Sequence, residues 1–264
     1  MSGGDGFRIE TGMLPRCRLL IEPVAQSGAW NMAVDEALLE SVLQGELPIV
    51  RWYRWSEPTL SLGYFQSLAD VEQQSHWRDT PKVRRLTGGG AILHDDEWTY
   101  SCIVPATGDQ WLRHPYDLYD LVHDAIALWF RQRWQLPVAQ RGHGSRTAEE
   151  PTLCFLRQDS HDLVLFNHKV LGSAQRRRKG VLLQHGSLVV RRSAVTPELP
   201  GLCDLAAAAS LAIPPLGETH RAELASFVAQ SLARAVIPGD LTAAETVLAH
   251  QLMTCKTATS AAAS

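Results

Sequence analysis

The stretch Arg85-Leu86-Thr87-Gly88-Gly89-Gly90-Ala91-Ile92-Leu93-His94 places three consecutive glycines behind Arg84 and Arg85 and ahead of a short apolar run that ends in histidine. A glycine triplet gives up side-chain packing, which suits a backbone that bends sharply or comes close to a ligand. Arginine beside such a loop supplies a fixed fork of donors for a carboxylate, phosphate or carbonyl group. Most glycine clusters are turns, so the reading gains its force from a second stretch. Lys169-Val170-Leu171-Gly172-Ser173-Ala174-Gln175 again sets small residues beside a cation, and Gln184-His185-Gly186-Ser187 follows it.

Outward from these stretches, short β-rich runs alternate irregularly with helical ones. Cys17–Glu22 reads as a strand, and Gly28 to Leu43 as a helix carrying Met32, Ala33, Leu39, Val42 and Leu43. Residues 48–55 and 59–64 read as two strands separated by Pro58, and 82–86 and 98–105 flank the glycine loop as two more. The clearest helix is 116–134, with Leu118, Leu121, Val122, Ala125, Ile126 and Trp129 on one stripe. Strands are expected around Cys154, at 162–166, 169–174 and 181–190. Helices are expected at 219–236 and 242–255, the latter opened by a Thr242/Glu245 capping box. Residues 1–16 read as loosely ordered. Strands and helices mixed in this way argue an α+β (mixed α/β) fold, a mixed sheet flanked by helices.

Composition bounds the function. The 264 residues can bury a full core, and 45% hydrophobic with 20% charged residues is ordinary for a globular chain. A net charge of −3 gives no support for nucleic-acid binding, and no apolar run has the length of a membrane span. The start, Met1-Ser2-Gly3-Gly4-Asp5-Gly6, lacks a signal-peptide pattern. The five cysteines (17, 102, 154, 203, 255) are odd in number and show no CxxC pairing. Together these lead to an expectation of a reduced, cytoplasmic protein with no metal site, no nucleic-acid partner and no membrane partner.

Asn31-Met32-Ala33-Val34-Asp35-Glu36-Ala37, Pro58-Thr59-Leu60-Ser61-Leu62-Gly63-Tyr64-Phe65-Gln66, the glycine loop, the Lys169 stretch and the His185 stretch stand in a fixed order. In that order they resemble the lipoate/octanoate branch of the biotin–lipoate protein ligase superfamily, over most of residues 17–192. The resemblance implies a catalytic domain like that of class II aminoacyl-tRNA synthetases and biotin synthetase. The resemblance covers the core domain expected at 17–192; the helical run after it is expected to form a C-terminal extension, 193–256, packed on the same domain.

The resemblance also implies chemistry. Lys169 matches the superfamily's active-site lysine, which holds the acyl carbonyl and assists transfer; a compact ammonium suits an oxyanion. Glu150-Pro151-Thr152-Leu153-Cys154-Phe155 resembles the segment that carries the nucleophile in the cysteine-dependent octanoyltransferases, where the cysteine precedes the lysine. A lysine within reach of that thiol raises its thiolate fraction. Cys203, the nearby downstream cysteine, lacks the motif of the other transferase class. Arg85, Thr87, Gly88, Gly89, Gly90, His94, Ser101, Gly172, Ser173, Ala174, His185 and Gly186 are the implied substrate-binding residues.

His94-Asp95-Asp96-Glu97-Trp98-Thr99-Tyr100-Ser101 is similar to the transferase class, whereas a third glycine at Gly90 is similar to lipoate–protein ligase A. The implied activity is octanoyl or lipoyl transfer from acyl carrier protein, through a Cys154 thioester, to the lysine of a 2-oxoacid dehydrogenase lipoyl domain or glycine-cleavage H protein. The alternative is an ATP-dependent lipoate–protein ligase working through an acyl-adenylate. The first needs no cofactor and the second needs ATP and Mg2+. Arg176-Arg177-Arg178-Lys179 is either a solvated hairpin tip or a patch that steers acidic carrier domains.

Overall fold

The computed structural model describes residues 13–69, 77–106, 112, 114, 116–142 and 159–261, with side chains as far as 254. It is an α+β fold built on one large mixed sheet. In chain order the elements are β1 (Leu14–Ile21), α1 (Gly28–Leu43), β2 (Ile49–Tyr53), β3 (Thr59–Leu62), β4 (Lys82–Arg84), β5 (Ile92–His94) and β6 (Glu97–Pro105). Then come α2 (Asp117–Trp134), β7 (Ala139–Gln140), β8 (Leu163–Leu165), β9 (His168–Arg178), β10 (Val181–Val189), α3 (Leu202–Ala208), α4 (Glu218–Leu232), β11 (Ala233–Pro238) and α5 (Ala243–Ala261).

The eight-stranded sheet runs β11-β1-β2-β6-β10-β9-β8-β7, and a second sheet runs β4-β3-β5. Strands β11, β1 and β2 are parallel, while the long pairs β2–β6, β6–β10 and β10–β9 are antiparallel. Period-2 alternation gives the large sheet two different faces. Trp98, Tyr100, Cys102 and Val104 of β6 join Leu182 and Leu188 of β10 in the core beneath α2 and α4. Ile103 and Leu183, one residue out of step, join the core beneath α1 and α5.

The helices are specified locally. Ser27 caps α1, its hydroxyl accepting from Trp30 N at 3.3 Å. Asp117 and Asp120 lie in the first turn of α2 and Arg131 and Arg133 in its last, matching the helix dipole. The Thr242/Glu245 capping box forms: Thr242 N reaches Glu245 Oε2 at 2.8 Å, and Glu245 N reaches Thr242 Oγ1 at 3.2 Å. The β9–β10 hairpin turns through Lys179 (φ 44°) and Gly180 (φ 83°), the two positive angles of the tight turn that matches strand twist.

Four expectations change. Residues 14–16, expected to be loose, open β1. The helix expected at 219–236 ends at Leu232, and Ala233–Pro238 forms β11, parallel to β1 with Val236 opposite Cys17. The β-branched pair Val236-Ile237 and edge pairing override the helical pattern there. Residues 201–217, where no element is expected, contain α3, whose Asp204 accepts from Gly201 N at 2.8 Å. The strand expected at 169–174 extends from 168 to 178. The strand expected around Cys154 lies outside the described residues.

Candidate active site

Lys169 is aimed by a defect in its own strand. On β9 the register shifts, so that Leu163 faces Leu171 while Val164 faces Lys169. This β-bulge inserts one extra residue, and both Val170 and Leu171 turn into the core under α2. Plain alternation would put residues 169 and 172 on opposite faces. The bulge puts them on the same one, opposite the α2 core. There Lys169 Nζ pairs with Asp162 Oδ1 at 2.9 Å, both side chains nearly excluded from water. Asp162 Oδ2 accepts from Asp159 N at 2.8 Å, which fixes the carboxylate. Burial pushes the Asp162 carboxyl above its ordinary range, against the opposing pull of Lys169. Gly172 is needed because a β-carbon there would stand 2.5 Å from Lys169 Cε and 2.8 Å from its Nζ.

The glycine loop is held from inside by Arg85. Its Nε donates to Thr87 Oγ1 at 3.2 Å, and Nη1 donates to Ser61 O at 2.8 Å and Ser61 Oγ at 3.2 Å. Nη2 donates to the carbonyls of Gly88 and Gly90, both at 2.7 Å. All the guanidinium nitrogens are thus directed at protein acceptors on β3 and the loop, and the side chain is buried. Gly63 lies so close that a β-carbon there would come within 1.9 Å of the Gly89 carbonyl oxygen. Gly89 takes φ 93°, where a glycine is favoured, and it is the exposed member of the triplet.

Two buried histidines back this loop. Arginine only donates, so Ser61 and Thr87 each accept from Arg85 and have their own proton to give. Ser61 Oγ meets His94 Nε2 at 2.7 Å, and Thr87 Oγ1 meets His185 Nε2 at 2.6 Å. That leaves each Nδ1 facing a carboxylate: His94 with Glu97 Oε1 at 2.7 Å, and His185 with Asp35 Oδ2 at 3.6 Å. His94 also stacks on Trp55 at 3.9 Å between centroids. Burial lowers the His185 pKa, and Asp35 restores it only in part. Asp35 is raised by burial but lowered by Arg51 at 2.7 Å, by His185 and by Ser101; the net effect holds it below the ordinary carboxylate range.

The expected binding residues therefore divide. Lys169 meets Gly172. Arg85, Thr87, Gly88 and Gly90 form one clamp, with His94 and His185 behind it. Ser101 is spent on Asp35, its hydroxyl donating at 2.8 Å. Ala174 stands opposite His185 in the β9–β10 register.

Ser173 and Gly186 turn the other way, into the α2 core. Ser173 Oγ lies 2.7 Å from Tyr100 Oη and 2.6 Å from His123 Nε2. A β-carbon on Gly186 would strike Ser173 Oγ and the Tyr100 ring. His123 Nδ1 donates to the His161 carbonyl at 2.5 Å, next to Asp162, and burial pushes the His123 pKa down to about 4.

Asp35, Arg51, Asp162 and His123 were not singled out from sequence. Asn31 and Asp35 at i and i+4 on α1 carried a readable signal, since both bond Arg51. Asp162 carried none.

Cys154 lies outside the described residues. Burial raises the thiol pKa of Cys17 to about 11, of Cys102 further, and of Cys203 as well, so none of the three is poised as a thiolate. Among the described residues no group of three or more His, Cys, Asp or Glu is arranged to hold a metal ion. No helix there is long and apolar enough to cross a membrane.

A glycine-walled loop and an anchored ammonium, carried on a mixed sheet between helices, define an α+β domain of the catalytic type. The chain belongs to the lipoyl protein ligase A/B catalytic domain family, which it matches over residues 27–196. It is 37% identical over 169 residues to octanoyltransferase LipM of Staphylococcus epidermidis, covering 61% of each chain. The chain thus spans about three-fifths of the length of the curated relatives it matches. Its fold is shared with a lipoate-protein ligase A bound with ATP (TM-score 0.64, 21% identity, covering 92% of this chain and 95% of that one). It is shared also with the bi-partite lipoate protein ligase of Thermoplasma acidophilum, described together with its E2 lipoyl domain (TM-score 0.60, 21% identity, 92% of each chain).

Proposed function

We propose that this protein is an octanoyltransferase of protein lipoylation. It takes an octanoyl group from acyl carrier protein and passes it to the lysine of a lipoyl domain or glycine-cleavage H protein. The observation that carries the reading is the Lys169–Asp162 pair seated over Gly172. An ammonium fixed at a known point, with backbone bare of side chains beside it, suits an acyl carbonyl and the oxyanion it becomes. The identity to octanoyltransferases supports the acyl group.

The route runs through Cys154. Its thiolate attacks the carrier thioester, the carrier thiol leaves, and the acyl group rests on sulfur. The acceptor amine then displaces Cys154, which leaves as thiolate, and the amine's proton passes to solvent or to that thiolate. Thioester exchange is nearly isoenergetic and amide formation is downhill, so no nucleotide is required. The raised thiol pKa values at Cys17, Cys102 and Cys203 disfavour those three as nucleophiles, and the Glu150–Phe155 motif is what supports Cys154.

A second reading, an ATP-dependent lipoate–protein ligase, is favoured by the third glycine, Gly90, which is similar to the ligase pattern. The two separate in one experiment. The protein is incubated with octanoyl-carrier protein without ATP, and intact mass is recorded beside Cys154→Ala. An octanoyl increment lost in the variant supports the transferase. Lipoyl-domain modification that appears only with ATP and free acid supports the ligase.

A further inference from the structure

Between β3 and the glycine loop the chain presents a large apolar side chain straight to solvent. Phe65 is 87% exposed and Tyr64 40%. Scattered exposed apolar residues need no explanation, but this turn is held rigidly from every side. Arg84 Nη1 donates to the carbonyls of Gly63, Tyr64 and Gln66 at 2.8, 3.2 and 2.7 Å. Tyr64 N donates to Thr87 O at 2.9 Å, and Gln66 N to Gly63 O at 3.1 Å. The Arg176 guanidinium lies 4.2 Å over the Tyr64 ring and donates to Leu86 O at 3.3 Å. Tyr64 in turn meets Phe65 edge-on at 4.8 Å. Gly63, abutting Gly89, fuses the turn to the wall of the site.

We infer that Phe65 and Tyr64, flanked by Arg84 and Arg176, are the seat for the acyl-accepting partner: a lipoyl domain with acidic surface beside its acceptor lysine. The inference rests on the function proposed above and names the surface that its acceptor uses. Aromatic side chains on a hydrogen-bonded turn, flanked by arginine, have the composition of an interface anchor. The charge is local: two arginines at this rim in a chain whose net charge is −3. Arg178, farther along β9, is neutralised by Glu40 and does not contribute.

Reach favours the acceptor over the donor. A donor thioester rides on a long flexible prosthetic arm and tolerates loose seating. An acceptor lysine has only a four-carbon stem. Its domain must sit tightly against the mouth of the site, and acidic groups on that domain are what Arg84 and Arg176 would hold.

The test is titration of an isolated lipoyl domain into the full chain, using wild type, Phe65→Ser and Arg176→Gln, with octanoyl transfer followed on the same proteins. Phe65→Ser is expected to weaken lipoyl-domain binding and raise its KM about tenfold, with kcat and Tm little changed. Arg176→Gln is expected to flatten the salt dependence of binding. Unchanged binding and KM in Phe65→Ser, with wild-type transfer intact, would overturn the docking surface and leave the proposed function standing. An effect confined to the octanoyl-carrier donor would overturn it in favour of the donor. Conversion of a wild-type dimer to monomer by Phe65→Ser would overturn it in favour of a second copy of this chain. Wild-type protein that neither binds a lipoyl domain nor transfers to it would overturn both readings. Binding lost in Phe65→Ser, in a wild type that transfers nothing, would sink the function alone.

Discussion

At the residue scale the Lys169–Asp162 pair makes the sharpest demands. Lys169→Ala removes the ammonium that the proposed transfer depends on, and octanoyl transfer to a lipoyl domain is expected to fall by at least about a hundredfold. The accompanying loss of stability is expected to be smaller than the roughly 3–5 kcal/mol of a buried charge left unpaired. Burial already raises the Asp162 carboxyl, so that carboxyl escapes by taking up a proton. Denaturant melts beside single-turnover rates check both. Gly172→Ala tests position rather than charge. Its β-carbon would meet the far end of the Lys169 side chain, 2.5 Å from Cε, rather than backbone. The fold should therefore hold, with Tm shifted by a few degrees, while transfer falls about tenfold or more as Nζ is pushed from its seat. Both residues were legible in the sequence, Lys169 as a cation beside small residues and Gly172 as one of them. Their contact was not. It depends on Val170 being the extra residue of a bulge, and no pattern in Lys169-Val170-Leu171-Gly172 distinguishes a bulged strand from a plain one.

At the scale of elements, the loop between β4 and β5 is ordered less by its glycines than by Arg85 beneath them. Lysine at this position keeps the charge but offers three donors in place of five and no planar fork. Arg85→Lys is expected to leave some of the acceptors on Ser61, Thr87, Gly88 and Gly90 unmet, costing about 1–3 kcal/mol. Hydrogen exchange should rise at residues 86–91 with the amides of β6 and β10 unaffected. The sequence reading placed Arg85 as a binding residue because an arginine next to glycines resembles an anion clamp. Its orientation, inward to carbonyls of its own loop, follows from β3 lying parallel to β4. Likewise Ser173 was read with the glycines beside it, but strand alternation sends its hydroxyl to His123 and Tyr100 under α2.

For the whole molecule, buried histidines tie stability to pH. His123 is held at about 4 by burial against an ordinary 6.5, and His185 is lowered in the same direction. Between pH 6.5 and 4 the unfolded chain binds a proton at His123 that the native fold refuses. The contribution of His123 is therefore full above about 6.5 and is lost as pH falls through that window. The shift at His123 sets a scale of about 3 kcal/mol. Urea unfolding at pH 7.5 and 4.5 should show most of that loss in wild type and a flatter dependence in His123→Gln, whose amide stays neutral.

The sequence by itself determined the α+β class, the helices α1 and α2, the capping box of α5 and the set of motif residues, because periodicity, caps and glycine chemistry act within a few residues. Only the tertiary structure decided which side of the sheet each motif residue serves, that Ala233–Pro238 joins β1 as a strand, and that Asp162 meets Lys169. Those outcomes depend on register, on a one-residue bulge and on partners distant along the chain, and a single-residue slip reverses every side chain that follows.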